Sequence, residues 1–180
     1  GGMMKLRARK KRSSKAYDLA FAYERDYGNC AQATLKALLD AGIRTIINLM
    51  EETETDHQGA AFEGYEDTIR ILAEERRLTV ECFRIPIRDV DVPPSTLMAS
   101  ILDKIDHSLA QKKPVYVHCW GGKGRTGTVV GCWLARHGRA TGDEALGLIR
   151  ELRKNDPTGS QPSPETERQR RMVRAWKIGE

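Results

Sequence analysis

The segment VYVHCWGGKGRTGT (residues 115–128) sets a cysteine, an arginine and four glycines immediately after an apolar run. The apolar residues predict a buried strand, and RTGTVVGCWLARHG from Arg125 onward predicts a helix. A short glycine-rich connection from a strand into a helix points several backbone N–H groups into one concavity, and the helix N-terminus adds partial positive charge. The segment therefore predicts an anion site at a strand-to-helix turn.

Two other kinds of site fit this segment poorly. A nucleotide-binding P-loop needs a serine or threonine after its lysine, whereas Lys123 is followed by Gly124 and Arg125. A zinc site needs clustered ligands, but the cysteines lack C-x-x-C spacing and His118 has no partner ligands. The sequence disfavours both sites, and we expect neither a metal nor a cofactor.

The lip of the predicted cradle carries a cysteine, Cys119. Backbone N–H dipoles and Arg125 would stabilise its thiolate, which is the nucleophilic form of the side chain. Arg125 follows Cys119 by six positions, so a loop curled round a tetrahedral anion can bring the guanidinium opposite the sulfur and hold two oxygens in a fork. The spacing favours attack on a phosphate over an inert cysteine in a glycine turn.

The motif VHCWGGKGRTGT resembles the H-C-x5-R-[ST] signature loop of the cysteine-dependent protein-tyrosine and dual-specificity phosphatases. The layout of residues 17–176 is similar to that of the compact dual-specificity members. This resemblance implies an α/β fold with a mostly parallel, mixed sheet of about four to five strands flanked by helices.

The resemblance also implies roles for residues of the motif. Cys119 would become phosphocysteine, Arg125 would bind the phosphoryl oxygens, and the Thr126 hydroxyl would support the thiolate and its departure. His118 would help to set the loop and the acidity of the thiol, with a buried structural histidine as the alternative. The substrate would be bound by the remaining loop residues, Trp120, Gly121, Gly122, Lys123 and Gly124.

The loop PIRDVDVPP (residues 86–94) offers a general acid. Expelling an alkoxide or phenolate needs a proton donor, and the family takes an aspartate from a mobile loop before the signature strand. The P-I-x-D-x-x-x-P pattern of shorter members implies Asp89, with Asp91 as the second candidate. Ordinary turn chemistry of aspartates beside prolines is the non-catalytic alternative.

PETERQ, near the C-terminus, resembles the T-x-x-Q pattern with which tyrosine-specific members position the hydrolytic water. The resemblance implies that Gln169 takes this role. The pattern carries little information, however, and the plain expectation is a surface glutamine.

Strands and helices alternate along the chain, which predicts helices on both faces of the sheet. Ser95, Thr141 and Ser163 are suited to cap the helices that follow them, and Gly42 is suited to end the first helix. Strands are predicted over residues 16–23, 44–50, 79–85 and 114–118, and helices over residues 31–42, 65–78, 96–110, 125–138, 142–154 and 164–178.

Charge divides the chain into two parts. The formal net charge is +5, but Lys5 to Lys15 carry seven Lys/Arg and no acid, which leaves 23 basic and 25 acidic residues in the rest. We predict a disordered tail over residues 1–15 and a single catalytic domain over residues 16–180. No apolar run approaches the ~20 residues of a membrane span, so we expect a soluble, cytoplasmic protein that does not bind nucleic acid.

The substrate is predicted to be a phosphorylated protein or a small phosphorylated molecule, and phosphate-like oxyanions should inhibit. Lys123 resembles the CKAGKGRTG loop of the phosphatase-and-tensin type, which acts on phosphoinositides, but Trp120 stands where that loop has lysine. A protein-tyrosine or dual-specificity phosphatase is favoured, and a phosphoinositide or inositol-polyphosphate phosphatase is the alternative.

Two further possibilities concern Cys119. A phosphate-binding module without turnover would be expected to lack Cys119 or Arg125, yet the chain has both. A reversible disulfide could join Cys119 to one of the other cysteines, Cys30, Cys82 or Cys132.

Overall fold

Four parallel strands form the central sheet of the computed structural model, which describes residues 19–20, 30–62 and 64–180. The strands are β1 (Leu19–Ala20), β2 (Thr45–Asn48), β3 (Glu81–Arg84) and β4 (Val115–His118). They lie in the order β1-β4-β2-β3, and every pairing between them is parallel. The predicted α/β fold with a mostly parallel sheet of four to five strands is therefore confirmed, although the predicted mixed character is not seen, since every strand pairing among the described residues is parallel.

Helices cover both faces of this sheet, as predicted. They are α1 (Cys30–Asp40), α2 (Glu66–Glu74), α3 (Ser95–Ala110), α4 (Arg125–Arg136), α5 (Gly142–Leu152) and α6 (Glu167–Ala175). Successive strand side chains point to opposite faces. Ile46 and Tyr116 pack with α1 and α2, whereas Ile47, Val115 and Val117 pack with the remaining helices. The sheet is thus buried on both sides, which is why apolar side chains such as Ile46, Ile47 and Val117 fill the middle of its central strands.

Helix α4 is the central helix of the larger core. Every residue from Arg125 to Ala135 is buried, and α3, α5 and α6 all pack against α4. A close approach at Gly131 makes this possible, because a Cβ built there would lie 2.6 Å from both γ-methyl groups of Val173 in α6. The helix that begins at the predicted anion site is therefore fixed along its whole length.

Most predicted element ends agree with the structure, and α6 is the main exception. Helix α6 begins at Glu167, because the Thr166 hydroxyl accepts from the Gln169 N–H while the Gln169 side chain accepts from the Thr166 N–H. This reciprocal pair satisfies two N–H groups of the first turn. The predicted cap at Ser163 is wrong, since its hydroxyl donates to the Lys123 carbonyl oxygen instead, at 2.8 Å.

Of the other predicted caps, those at Gly42 and Thr141 lie at the predicted helix ends and the one at Ser95 does not. Gly42 ends α1 with a φ of +92°, and the Ile43 N–H returns to the Leu38 carbonyl oxygen. Thr141 occupies the N-cap position of α5, although its side chain makes no capping hydrogen bond. Ser95 lies inside α3, because Pro94 takes the N-cap position.

Some predictions concern parts of the chain that the structure does not describe. The basic tail over residues 1–15 lies outside the described residues, as does most of the predicted first strand. Among the helices that are described, none combines the length and the apolar character needed to cross a bilayer.

The close packing of α4 against α6 gives a stability test with a matched control. Gly131→Ala should lower the free energy of unfolding by about 1–3 kcal/mol, because the new methyl group meets Val173 in a filled core. Gly147→Ala, in α5 with no atom within 4 Å of the new Cβ, should raise it by up to about 1 kcal/mol through helix propensity. Urea unfolding followed by circular dichroism measures both changes. If both substitutions changed the free energy of unfolding in the same direction, the close packing of α4 against α6 at Gly131 would be contradicted.

Candidate active site

Three loops meet at the carboxyl edge of the sheet. Asn48 at the end of β2 pairs with Arg84 of β3 and with His118 of β4, so the three strands end side by side. Beyond them, the Leu49 N–H donates to the His118 carbonyl oxygen and the Ile87 N–H donates to the Leu49 carbonyl oxygen. The edge at which parallel strands end is where α/β proteins commonly bind ligands.

The signature loop, residues 119–124, connects β4 to α4. Gly122 has a φ of +64°, a conformation that a residue with a side chain adopts only at a cost. Within the described part of the chain, the backbone N–H groups of residues 120–124 donate no hydrogen bond. The loop therefore presents unsatisfied donors at the start of a helix, which is the arrangement expected of an anion site.

Cys119 opens this loop with its side chain buried. The Thr126 hydroxyl, from the first turn of α4, donates to the Cys119 sulfur at 3.1 Å. This contact places a hydroxyl donor directly against the sulfur. The structure thus brings together Cys119 and Thr126, as the sequence motif implied.

Arg125 is almost fully buried, with 2% of its surface exposed. Its guanidinium meets the carboxylate of Glu54 in a two-pronged contact, and Nη1 also donates to the carbonyl oxygen of Ile87 at 3.1 Å. Burial disfavours the charged guanidinium, but the Glu54 hydrogen bonds and the nearby negative groups, Cys119 and Asp89 among them, raise the pKa of Arg125 overall. Arg125 is therefore a permanent, oriented cation.

Glu54 is a site residue that sequence reasoning missed. It lies in the acidic run EETETD, which the sequence marks only as a loop. Nothing in that run separates Glu54 from its neighbours, because its contact with Arg125 spans 71 positions of the chain. Only the folded sheet brings the two residues together.

One donor of Arg125 remains unused. Its Nε is buried and has no hydrogen-bond partner among the described residues. Buried donors of this kind are rare in folded proteins, so this Nε is a candidate donor to a ligand. With the free N–H groups of the signature loop, this Nε completes a set of donors suited to a tetrahedral oxyanion.

The two candidate acids have different surroundings. Asp89 is 54% exposed, and its Oδ1 lies 3.0 Å from Nη2 of Arg125. Asp91 instead forms an ion pair with Arg168, whose Nη1 lies 2.7 Å from Oδ1, and accepts from the Val92 N–H. Of the two carboxylates, Asp89 is the one that faces the signature loop.

Gln169 is fully buried, so the expectation of a surface glutamine is wrong. Its Nε2 donates to the Asp91 carbonyl oxygen at 3.1 Å, and its Oε1 accepts from the Thr166 N–H. A Cβ built on Gly124 would lie only 3.0 Å from that Nε2. Gln169 thus lies between the acid-bearing loop and the signature loop.

His118 is held from both sides of its ring. Nδ1 lies 3.3 Å from the Cys119 carbonyl oxygen, and Nε2 lies 2.6 Å from the Tyr65 hydroxyl. Burial lowers the pKa of His118 to about 4 and raises the pKa of Tyr65. A carbonyl only accepts, so the neutral ring carries its proton on Nδ1 and accepts from Tyr65 through Nε2. Tyr65 is a second contact that the sequence did not indicate.

Lys123 is already engaged at the outer side of the loop. Its ammonium donates to Oε1 of Gln161 at 2.7 Å and lies 3.5 Å from Oε1 of Glu165. The positive charge of Lys123 is therefore partly neutralised by the segment that precedes α6.

Trp120 lies on the opposite flank of the signature loop. Its ring meets that of His57 edge-on with the centroids 4.2 Å apart, and Phe62 lies 6.0 Å away. His57 and Phe62 belong to the same loop as Glu54, which is the loop that follows β2. This loop therefore contacts both Trp120 in the signature loop and Arg125 at the start of α4.

Among the described residues, the cysteines form no disulfide and the acidic residues form no metal-binding cluster. Cys82, Cys119 and Cys132 are all free thiols, and burial raises the pKa of Cys82 to about 11 and also raises that of Cys132. In the part of the chain that is described, no group of three or more His, Cys, Asp or Glu side chains is arranged to hold a metal ion.

Comparison with known proteins gives consistent matches. The model of the family described as "Polymorphic toxin system, DSP-PTPase phosphatase" matches residues 22–139. Protein tyrosine phosphatase domain-containing protein 1 of Mus musculus is 29% identical over 121 residues, which are 67% of this chain and 16% of that protein. Phosphatidylglycerophosphate phosphatase PTPMT2 of Arabidopsis thaliana is 31% identical over 113 residues, 62% of this chain and 44% of that protein.

A solved structure extends these matches to the fold. Tk-PTP in its active form superposes with a TM-score of 0.60 at 22% identity, covering 88% of this chain and 90% of that one. At this identity the likeness concerns the fold alone. The matches to the two curated relatives cover less than half the length of each.

The buried neutral His118 predicts a pH dependence of stability. A histidine in the unfolded chain takes up a proton near pH 6.5, whereas folded His118 does so only near pH 4. Between these values the unfolded state binds more protons, so the free energy of unfolding falls as the pH falls, by an amount on the order of 3 kcal/mol over the window. Below about pH 4 both states are protonated and this contribution no longer changes.

Urea unfolding of the wild type and of His118→Gln between pH 7.5 and pH 4 measures this contribution. The variant should lose less stability on acidification than the wild type does. Parallel curves for the two proteins would mean that His118 is not held in its neutral form.

Proposed function

Because this chain belongs to the DSP-PTPase phosphatase family, and through it to the cysteine-dependent phosphatases, we propose that it hydrolyses phosphomonoesters of proteins through a cysteinyl-phosphate intermediate. Phosphotyrosine, with or without phosphoserine and phosphothreonine, is the proposed substrate group. The chain matches only part of each curated relative. The roles of the individual residues and the identity of the substrate are therefore proposed for this chain.

The observation that carries the proposal is the set of donors round the Cys119 sulfur. Thr126 donates to the sulfur, Arg125 offers an unpartnered buried Nε, and the N–H groups of residues 120–124 donate to no described residue. These donors fit the three non-bridging oxygens of a phosphoryl group. An inert cysteine in a glycine turn would not account for an unpartnered buried Arg125 Nε next to the same loop.

In the first half-reaction the Cys119 thiolate attacks phosphorus and the bond to the ester oxygen breaks. Arg125 and the loop N–H groups hold the phosphoryl oxygens while the negative charge is redistributed. Asp89 donates a proton to the departing oxygen, which leaves as an alcohol or phenol. The contact between Asp89 and Arg125 supports this assignment, because it puts the acid beside the group that binds phosphate.

In the second half-reaction a water molecule attacks the phosphocysteine and the bond between sulfur and phosphorus breaks. Asp89, now ionised, accepts the proton of that water. The Thr126 hydroxyl bonds to the departing thiolate and stabilises it. Gln169 uses one amide hydrogen on the Asp91 carbonyl oxygen, and its second amide hydrogen is the one proposed to orient the water.

The engagement of Lys123 bears on the choice of substrate. A lipid or inositol substrate with several phosphates needs a free second cation, and the Arabidopsis relative carries the name of a lipid phosphatase. Here, however, Glu165 and Gln161 bind Lys123. This neutralisation favours a substrate with a single phosphate, and phosphorylated protein over inositol polyphosphate.

Activity assays test the proposed roles of Cys119 and Asp89. Cys119→Ser should abolish turnover of an aryl phosphate while retaining binding of inorganic phosphate, which also separates an enzyme from a binding module. Asp89→Asn should lower kcat by about 100-fold or more for substrates with basic leaving groups and remove the basic limb of the pH profile. Asp67→Asn, an exposed aspartate on α2, is the control and should leave activity unchanged. Turnover by Cys119→Ser would rule out the mechanism.

A substrate panel tests the role of Lys123. Wild type should prefer a phosphotyrosine peptide to an inositol polyphosphate. Glu165→Gln should raise the ratio of kcat/KM for the inositol polyphosphate to that for the peptide by about 3- to 10-fold, because a screened negative charge is removed beside Lys123. Glu167→Gln, which changes the same charge two positions further on, should leave the ratio as it is. A wild-type preference for the polyphosphate would reverse the proposed substrate class.

A further inference from the structure

Helix α6 holds the acid-bearing loop at a single residue, Asp91. Nη1 of Arg168 lies 2.7 Å from Oδ1 of Asp91, and Nε2 of the next residue, Gln169, donates to the Asp91 carbonyl oxygen. Side chain and backbone of Asp91 are therefore bound by two successive residues of one helix. Neither contact touches the signature loop cysteine or Arg125.

Val90, which separates the two aspartates, has a strained backbone. Its φ is +54°, in the left-handed region that β-branched residues strongly disfavour. Its side chain is 55% exposed, so no core packing of Val90 accounts for this conformation. Strain of this kind persists only where the surrounding contacts enforce it, and it is concentrated at functional sites.

The contacts that enforce this conformation lie on either side of Val90. On one side Asp89 meets Arg125 at 3.0 Å, and on the other Asp91 is bound by α6. When a substrate phosphate occupies Arg125, the contact on the Asp89 side is exchanged for the substrate. The contacts at Asp91 then remain to keep the loop, and with it the Asp89 carboxyl group, beside the leaving oxygen.

We propose that Arg168 is a positioning residue, which fixes the general acid Asp89 through its ion pair with Asp91. This inference rests on the proposed phosphatase function and gives Asp91 a role other than that of the alternative acid. Because the Arg168 side chain is 66% exposed, its ion pair with Asp91 is weak. Loss of the pair should therefore shift the loop without unfolding the protein.

The dependence of kcat on the leaving group distinguishes a positioning role of Arg168 from a purely structural role. Substrates with an acidic phenol as leaving group need little protonation, whereas alkyl or unsubstituted phenyl phosphates depend on the general acid. Arg168→Met should lower kcat for phenyl phosphate by about 5- to 10-fold and kcat for a fluorinated coumarin phosphate by less than about twofold, with KM unchanged for both, since only proton donation is impaired. The basic limb of the pH profile should weaken in parallel.

Arg171→Met is the matched control, because Arg171 lies one turn further along α6 and forms no ion pair within the described residues. It should behave as the wild type does. Asp91→Asn should reproduce the effect of Arg168→Met, and the double variant should lose no more than either single one. Arg168→Lys, which keeps the charge, should recover part of the loss.

Several results would overturn the inference. One is an equal loss of kcat with both leaving groups, and another is an equal effect of Arg168→Met and Arg171→Met. Additive losses in the double variant would also exclude action through Asp91. A wild type that hydrolyses neither phosphate ester would refute the proposed function itself, which distinguishes that failure from a failure of the positioning role.

Discussion

The buried guanidinium of Arg125 is the constraint on which the site depends. A cation that is 2% exposed must be surrounded by acceptors, because an unpaired buried charge costs several kcal/mol. Its acceptors come from the loops that follow two neighbouring strands: Glu54 after β2, and Ile87 and Asp89 after β3. One side chain at the start of α4 therefore fixes the relative positions of the residues that the proposed chemistry uses.

Much of this architecture could be predicted from the sequence. The glycine-rich turn between an apolar run and a helix defines β4, the anion loop and α4, because backbone sterics and helix-end electrostatics act locally. The resemblance of the P-I-x-D-x-x-x-P pattern to that of shorter family members pointed to Asp89, which lies beside Arg125 in the structure, while its role as general acid is a proposal. Local patterns succeed where the physical cause lies within about ten residues of the chain.

The remainder depends on contacts between distant parts of the chain. Glu54 and Tyr65 reach Arg125 and His118 across 71 and 53 positions, and neither lies in a pattern that marks it out. The start of α6 was misplaced because Ser163 looks like a cap in isolation, whereas its hydroxyl bonds to Lys123. Gln169 was expected at the surface because a T-x-x-Q pattern says nothing about what covers it. Tertiary structure decided the positions of Glu54, Tyr65 and Gln169, whereas the start of α6 follows the local capping box of Thr166 and Gln169.

The contact between Asp89 and Arg125 has a consequence for the empty enzyme. A carboxylate that rests on the phosphate-binding guanidinium competes with any incoming oxyanion, so the affinity for free phosphate is reduced by the work of displacing it. If the proposed reaction takes place, the same competition favours release of the phosphate that it produces. Asp89 would then be an intramolecular competitor of the product for Arg125.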